Sequence, residues 1–131
     1  MRDLFKCLAD PTRLRVLHLL AHRGPEICVC DLVAVLQQPQ GTISRHLMQL
    51  RHLGMVRDRR QNTWMHYSLA EPSTKLHGAL LDCLRTACDE EPQLAADLVH
   101  FDKLREQKSL ACCAIPAVTV YLQTSVAEAP H

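Results

Sequence analysis

Helix breakers cut the first half of this chain into short pieces, and that punctuation constrains the fold more than any other feature. Asp10-Pro11, Gly24-Pro25, Gln38-Pro39-Gln40-Gly41 and Gly54 leave room for only roughly two to four helical turns between them. Within each piece the apolar residues recur at helical period. "RDLFKCLA" carries Leu4, Phe5 and Leu8 on one stripe. Asp10 can cap the next helix, with Pro11 at its first position, where the missing N–H costs nothing. That second helix is expected to run to about His22, with Leu14, Leu17 and Ala21 on one face, until Gly24-Pro25 stops it. "CVCDLVAVLQQ" follows as a short third helix with Val29, Leu32, Val33 and Leu36 apolar. "TISRHLMQLRHLG" is the fourth, with Ile43, Leu47 and Leu50 at i, i+4 and i+7 and Gly54 as its C-terminal cap.

After Gly54 the period changes from helix to strand. In "MVRDRRQNTWMHYSL", Met65, Tyr67 and Leu69 alternate with Trp64, His66 and Ser68. Gln61-Asn62 offers a two-residue turn in which Asn tolerates positive φ, so the stretch reads as a hairpin. Two short helices joined by a turn, followed by a basic hairpin, have the outline of a helix-turn-helix with a wing. The helical pattern returns from Pro72 to about Cys88, with Leu76, Leu80, Cys83 and Ala87 on one stripe and Leu81, Leu84 and Cys88 on another. A helix apolar on two faces needs two partners, its own domain and a second subunit. A further helix is expected over about 93 to 108. The fold class is therefore mainly α with a β-hairpin (α+β), with one domain over residues 1–108 and a cysteine-containing tail over 109–131. At 131 residues the chain has room for one such domain and no second full one.

Charge and cysteine content narrow the function. The formal net charge is only +1, but it is unevenly spread. From Gln40 to Arg60 five arginines (45, 51, 57, 59, 60) face one acid, Asp58, a balance of +4; from Glu71 to Lys108 eight acids face five bases, a balance of −3. A local cationic patch is what a polyanion feels. No apolar run approaches the ~18 residues that cross a bilayer, and "MRDLFKCLADP" lacks a secretory h-region, so a soluble, cytoplasmic protein without a membrane partner is expected. Seven cysteines (7, 28, 30, 83, 88, 112, 113) in reducing cytosol point to metal binding or redox chemistry rather than to structural disulfides. No nucleophile–base pairing or phosphate loop suggests an enzyme.

The stretches "LFKCLADPTRLRVLHLL", "EICVCDL" and "TISRHLMQLRHLGMVRDRRQNTWMHYSL" resemble, in order and spacing, the arsenic-responsive branch of the ArsR/SmtB winged-helix repressors. The resemblance covers roughly residues 4 to 69. It implies a homodimer, joined through its terminal helices, that binds double-stranded palindromic operator DNA and leaves it when trivalent arsenic or antimony binds cysteine thiolates. Gln40, Thr42, Ser44, Arg45 and His46 would then lie at the exposed start of the recognition helix, with Arg45 placed for a bidentate contact. Arg57, Arg59, Arg60 and Gln61, with Asn62 at the tip, would follow the DNA backbone or minor groove. From charge alone these arginines are equally a solvated strand face; the adjoining helix-turn-helix favours DNA.

Trivalent arsenic and antimony are soft, thiophilic ions that favour three thiolates in a pyramid. Cys28 and Cys30 are candidates, against the plainer reading of two small core residues. On a regular helix they would lie about 200° apart, so sharing one ion requires an unwound or distorted helix start. Sensors of this branch with "CVCDLC" carry a third cysteine three residues on; here that residue is Val33. Either the site is two-coordinate with a water or a small thiol, or the third thiolate comes from elsewhere in the chain, for which Cys112 and Cys113 are the candidates. Either they form a separate C-terminal site, within one subunit or shared across the dimer, or one of them completes the Cys28/Cys30 site. Cys7 is expected in the core, and Cys83 and Cys88 in helix packing. The zinc sensors' D-x-H…H-x-x-[E/H] pattern is not formed by His77, Asp82, Asp89, Asp97 and His100, which are expected at the surface. Two other functions stay open: a sensor of thiol redox state or of another soft metal such as cadmium or lead on the same fold, and a metal-trafficking thiol protein.

Overall fold

The computed structural model describes residues 2–86 and 90–108. Cys88, Asp89, Cys112, Cys113 and the expected tail lie outside the described residues. The element order is α1 (Arg2–Ala9), α2 (Pro11–Arg23), β1 (Ile27–Cys28), α3 (Val29–Leu36), α4 (Gln40–His52), β2 (Val56–Gln61), β3 (Trp64–Leu69), α5 (Lys75–Thr86) and α6 (Pro92–Lys108).

The breakers act where the sequence places them. Asp10 caps α2, its carboxylate accepting from the Thr12 and Arg13 amides at 2.8 and 3.2 Å, with Pro11 at the first helical position. Gly54, at φ +76, follows the last turn of α4. α2 is the central beam. Val16, Leu17, Leu19 and Leu20 are buried there against Leu32 and Val35 of α3 and Ile43, Leu47 and Leu50 of α4. Each fully buried leucine contributes about 2 kcal/mol by removal from water, so this seam holds the helix-turn-helix to the body.

The sheet has the order β1-β3-β2, all antiparallel. The hairpin is one residue out of step with expectation: Gln61 is still in β2, opposite Trp64, and the turn is Asn62-Thr63. Asn62, at φ +60, thereby takes the first turn position, where positive φ fits a hairpin's twist. β1 was not expected at all; it pairs Ile27 with Tyr67 and Cys28 with His66.

α6 lies against α2 and α3 of its own chain, held by Arg15–Asp97, Arg23–Asp102 and Arg105–Asp31 at 2.8, 2.8 and 3.6 Å. This corrects two surface assignments. Asp97 is buried because Arg15 engages both its oxygens, at 2.8 and 2.9 Å, and Gln93 donates a third bond. His77 is buried because its Nδ1 accepts from the Ser73 amide at 3.2 Å, closing the start of α5. Asp82 is exposed and His100 partly so, as expected.

Candidate nucleic-acid interface and thiol pair

α4 turns its apolar side inward through Ile43, Leu47 and Leu50, all fully buried, which leaves the opposite side facing outward. Arg45 is exposed there, while Gln40, Thr42, Ser44 and His46 are half-buried around it. Pro39 provides no side-chain hydrogen bond to the first turn. The leading N–H groups of a helix are orphans, and with the helix dipole they favour an anion such as a phosphate.

The recognition helix is also tied back to α2, through residues that sequence patterns did not reveal. Arg13 donates to the carbonyls of Cys7 and Lys6, at 3.1 and 3.4 Å, and to the Gln49 amide oxygen. Its guanidinium is 3.5 Å from His46 Nδ1, and His46 Nε2 is 3.9 Å from Asp10. Burial works to raise the Asp10 pKa, but the Arg13 and Thr12 amides and the charges of His46 and Arg13 outweigh it and hold the carboxyl below its ordinary value. Thr12 and Gln38 exchange two hydrogen bonds, at 3.0 and 3.2 Å, that pin the turn between α3 and α4. The only sequence signal for Arg13 is its place in the first turn of a capped helix; its partners in α4 lie 33 and 36 residues away.

On the wing, Arg57, Arg59, Arg60, Gln61 and Asn62 are all exposed. Arg59 is engaged within the protein: its guanidinium grips the Glu26 carboxylate at 2.7 and 2.8 Å and also reaches Gln61 at 3.0 Å. That pairing holds the Glu26 carboxyl below its usual range. Arg51 near the end of α4 meets Asp58 of β2 at 3.2 Å, joining the helix to the wing.

The two cysteines sit where β1 passes into α3. Cys28 ends β1 in an extended conformation (φ −70°, ψ 143°) and is the N-cap of α3, its sulfur accepting from the Cys30 amide at 3.4 Å. Cys28 is buried and Cys30 half-buried, and their sulfurs are 2.8 Å apart. The distorted helix start expected from the sequence is therefore not needed. Cys28 precedes the helix, so the 200° separation of two helical positions does not apply. Val33, one turn beyond Cys30, is half-buried against the core. Among the described residues no group of three or more His, Cys, Asp or Glu side chains is placed to hold a metal ion. Cys7 is in the core, and burial raises its thiol pKa despite the charge of and hydrogen bonding with Arg13. Cys83 is exposed rather than packed within the subunit.

A helix-turn-helix with an outward, cationic second helix and a β wing defines a winged-helix transcriptional regulator. The chain belongs to the ArsR family: the family of the "Bacterial regulatory protein, arsR family" matches residues 10–58. It is 40% identical over 111 residues to the arsenic resistance transcriptional regulator ArsR1 of Pseudomonas putida, a match covering 83% of this chain and 84% of that one. It is 54% identical over 68 residues to the arsenical resistance operon repressor of Escherichia coli, covering 52% of this chain and only 57% of that relative's length. The crystal structure of the antimony-specific transcriptional repressor AntR superposes with a TM-score of 0.55 at 33% identity, over 69% of this chain and 78% of that one. These relatives are regulators, not enzymes, and the family's helix-turn-helix proteins bind operator DNA. Among the described residues no helix is long and apolar enough to cross a membrane.

Proposed function

We propose that this protein is a dimeric repressor of a metalloid-resistance operon, released from a palindromic operator when trivalent arsenic or antimony binds at Cys28 and Cys30, with Cys112 and Cys113 as further thiol donors. The observation that carries this reading is the pair of sulfurs 2.8 Å apart at the start of α3. Their position supplies the coupling. Cys28 is at once the cap of the helix that precedes the recognition helix and the cross-strand partner of His66, which in turn lies opposite Arg59 on the wing. A ligand that draws the Cys28 sulfur away from the Cys30 amide acts on both DNA-facing elements. Such a ligand must favour the DNA-free arrangement, since equal affinity for both arrangements shifts nothing.

DNA contact is assigned to Gln40, Thr42, Ser44, Arg45 and His46 in the groove, and to Arg57, Arg59, Arg60 and Gln61 along the backbone. Two copies joined through their terminal helices would present two α4 helices to successive major grooves. The exposed Phe5 of α1 and the half-buried Leu76 and Leu80 of α5 suit that junction. The names of the relatives, two concerned with arsenic and one with antimony, support the choice of inducer. The test is operator release by arsenite, followed by fluorescence anisotropy under full reduction. Wild type should leave the operator, and Cys28→Ser with Cys30→Ser should hold it at the same arsenite concentration. An unchanged response in the variant would remove the pair from the site.

A further inference from the structure

Both flanks of α4 are engaged within the chain. On one side His46 and Gln49 meet Arg13 of α2, and on the other Arg51 meets Asp58 of the wing. Ile43, Leu47 and Leu50 are turned into the core. At about 100° per residue, the face left pointing away from the body is a stripe through Gly41, Arg45 and Met48 that continues to His52; these residues share about 60° of arc, and all are exposed. Two of them are unfavourable choices for a helix that faces only water. Met48 leaves 54% of its surface exposed. Glycine is a poor helix former beside alanine, yet Gly41 lies in ordinary helix, and a Cβ built there meets nothing else in the described structure within 4 Å. Both choices suit a surface outside the subunit: a bare backbone lets it come close, and a thioether gives it a flexible apolar contact.

Resting on the proposed function, we infer that Met48 is a specificity-determining residue that reads the C5-methyl group of a thymine in the major groove, with Gly41 giving the start of α4 the clearance to bring it there. Met48 lies three residues beyond Arg45, about 4.5 Å along the helix, which is roughly one base-pair step of about 3.4 Å. The thymine is therefore a neighbour of the base pair that Arg45 faces. In the major groove the base edges present donors and acceptors, and the thymine methyl is the apolar exception. A thioether has no strong donor or acceptor to offer the other edges. It favours thymine by contact and disfavours the other bases by leaving their polar groups without a partner. With one α4 in each half-site, each half-site carries one such thymine.

The test uses the reduced full-length protein without metalloid. Duplexes that wild type selects from a random pool should share a thymine in each half-site, at a position where duplexes selected by Met48→Ala vary. Replacing that thymine by deoxyuridine removes the methyl alone. In fluorescence anisotropy the replacement should weaken wild-type binding about fourfold per half-site and leave Met48→Ala binding unchanged. Gly41→Ala should resist urea better than wild type, through helix propensity, and yet lose affinity for the same duplex. Identical selected sequences for wild type and Met48→Ala would overturn the assignment to Met48. So would a deoxyuridine replacement that leaves wild type unaffected or weakens both proteins equally. Gly41→Ala binding at or above wild-type affinity would overturn the clearance. Sequence-selective binding by wild type would in each of these cases leave the operator reading of the proposed function standing. If wild type selects no sequence at all, the proposed function falls and Met48 has no base to read.

Discussion

α3 and α4 are successive helices of one motif, yet they begin in opposite ways. α3 leaves a paired strand and has its first turn closed from within, by the Cys28 sulfur on the Cys30 amide. α4 leaves Pro39 with no side chain closing its first turn. The flanks differ as well: the start of α3 is buried among apolar residues, while the start of α4 is ringed by Gln40, Thr42, Ser44 and the exposed Arg45. The difference is a division of labour written into hydrogen-bond satisfaction. A helix start that is already satisfied can hold a ligand and be disturbed by it, whereas one left open offers its N–H groups to an outside acceptor.

The largest expected effect tests the open end. Arg45→Ala should cost about 1–3 kcal/mol of operator binding if the arginine makes a bidentate base contact, with no change in chemical denaturation because the side chain is exposed. A loss of folding stability, or operator affinity within twofold of wild type, would break the contrast from the α4 side. The closed end calls for a comparison of Cys28→Ala with Cys28→Ser. Both remove the thiol, but serine keeps a capping oxygen, so the alanine variant should be less stable by about 1 kcal/mol in urea denaturation. Equal stabilities would mean that the sulfur caps nothing.

The smallest effect is a pH dependence where the strand meets the thiol. Burial and the charge of Arg59 lower the pKa of His66, the residue opposite Cys28. The unfolded chain then binds the proton more readily than the folded one. Stability from this residue is complete above the unfolded value of about 6.5 and is lost as pH falls through the lower folded value. Denaturation at a series of pH values between about 7.5 and 5 should show that decline, and His66→Gln should flatten it.

Most of this architecture is legible in the sequence because it depends on local signals. Asp10-Pro11, Gly24-Pro25 and Gly54 end or begin helices by backbone chemistry alone, and the alternation from Trp64 to Leu69 is long enough to show a strand period. β1 is hidden for the converse reason. Two residues carry no period, and Ile27 and Cys28 are extended only because Tyr67 and His66 lie beside them. The same dependence on distant partners explains Asp97, whose burial rests on an arginine 82 residues earlier, and Arg59, whose engagement by Glu26 looks like any other wing charge when read in a row. The identity of the thiol pair was visible in "CVC"; its closeness was not, because it depends on Cys28 lying in the strand rather than in the helix.

Arg13 has a wider reach than its four contacts suggest. By holding the last carbonyls of α1 on one side and Gln49 and His46 of α4 on the other, it makes the outer helix and the reading helix a single rigid lever. In the dimer proposed above, with α1 in the junction, that lever would act as a gauge. It would set the distance and the rotation between the two reading heads, so that an operator with one base pair added between its half-sites, about 3.4 Å longer along the axis, would be mismatched before any base edge is read.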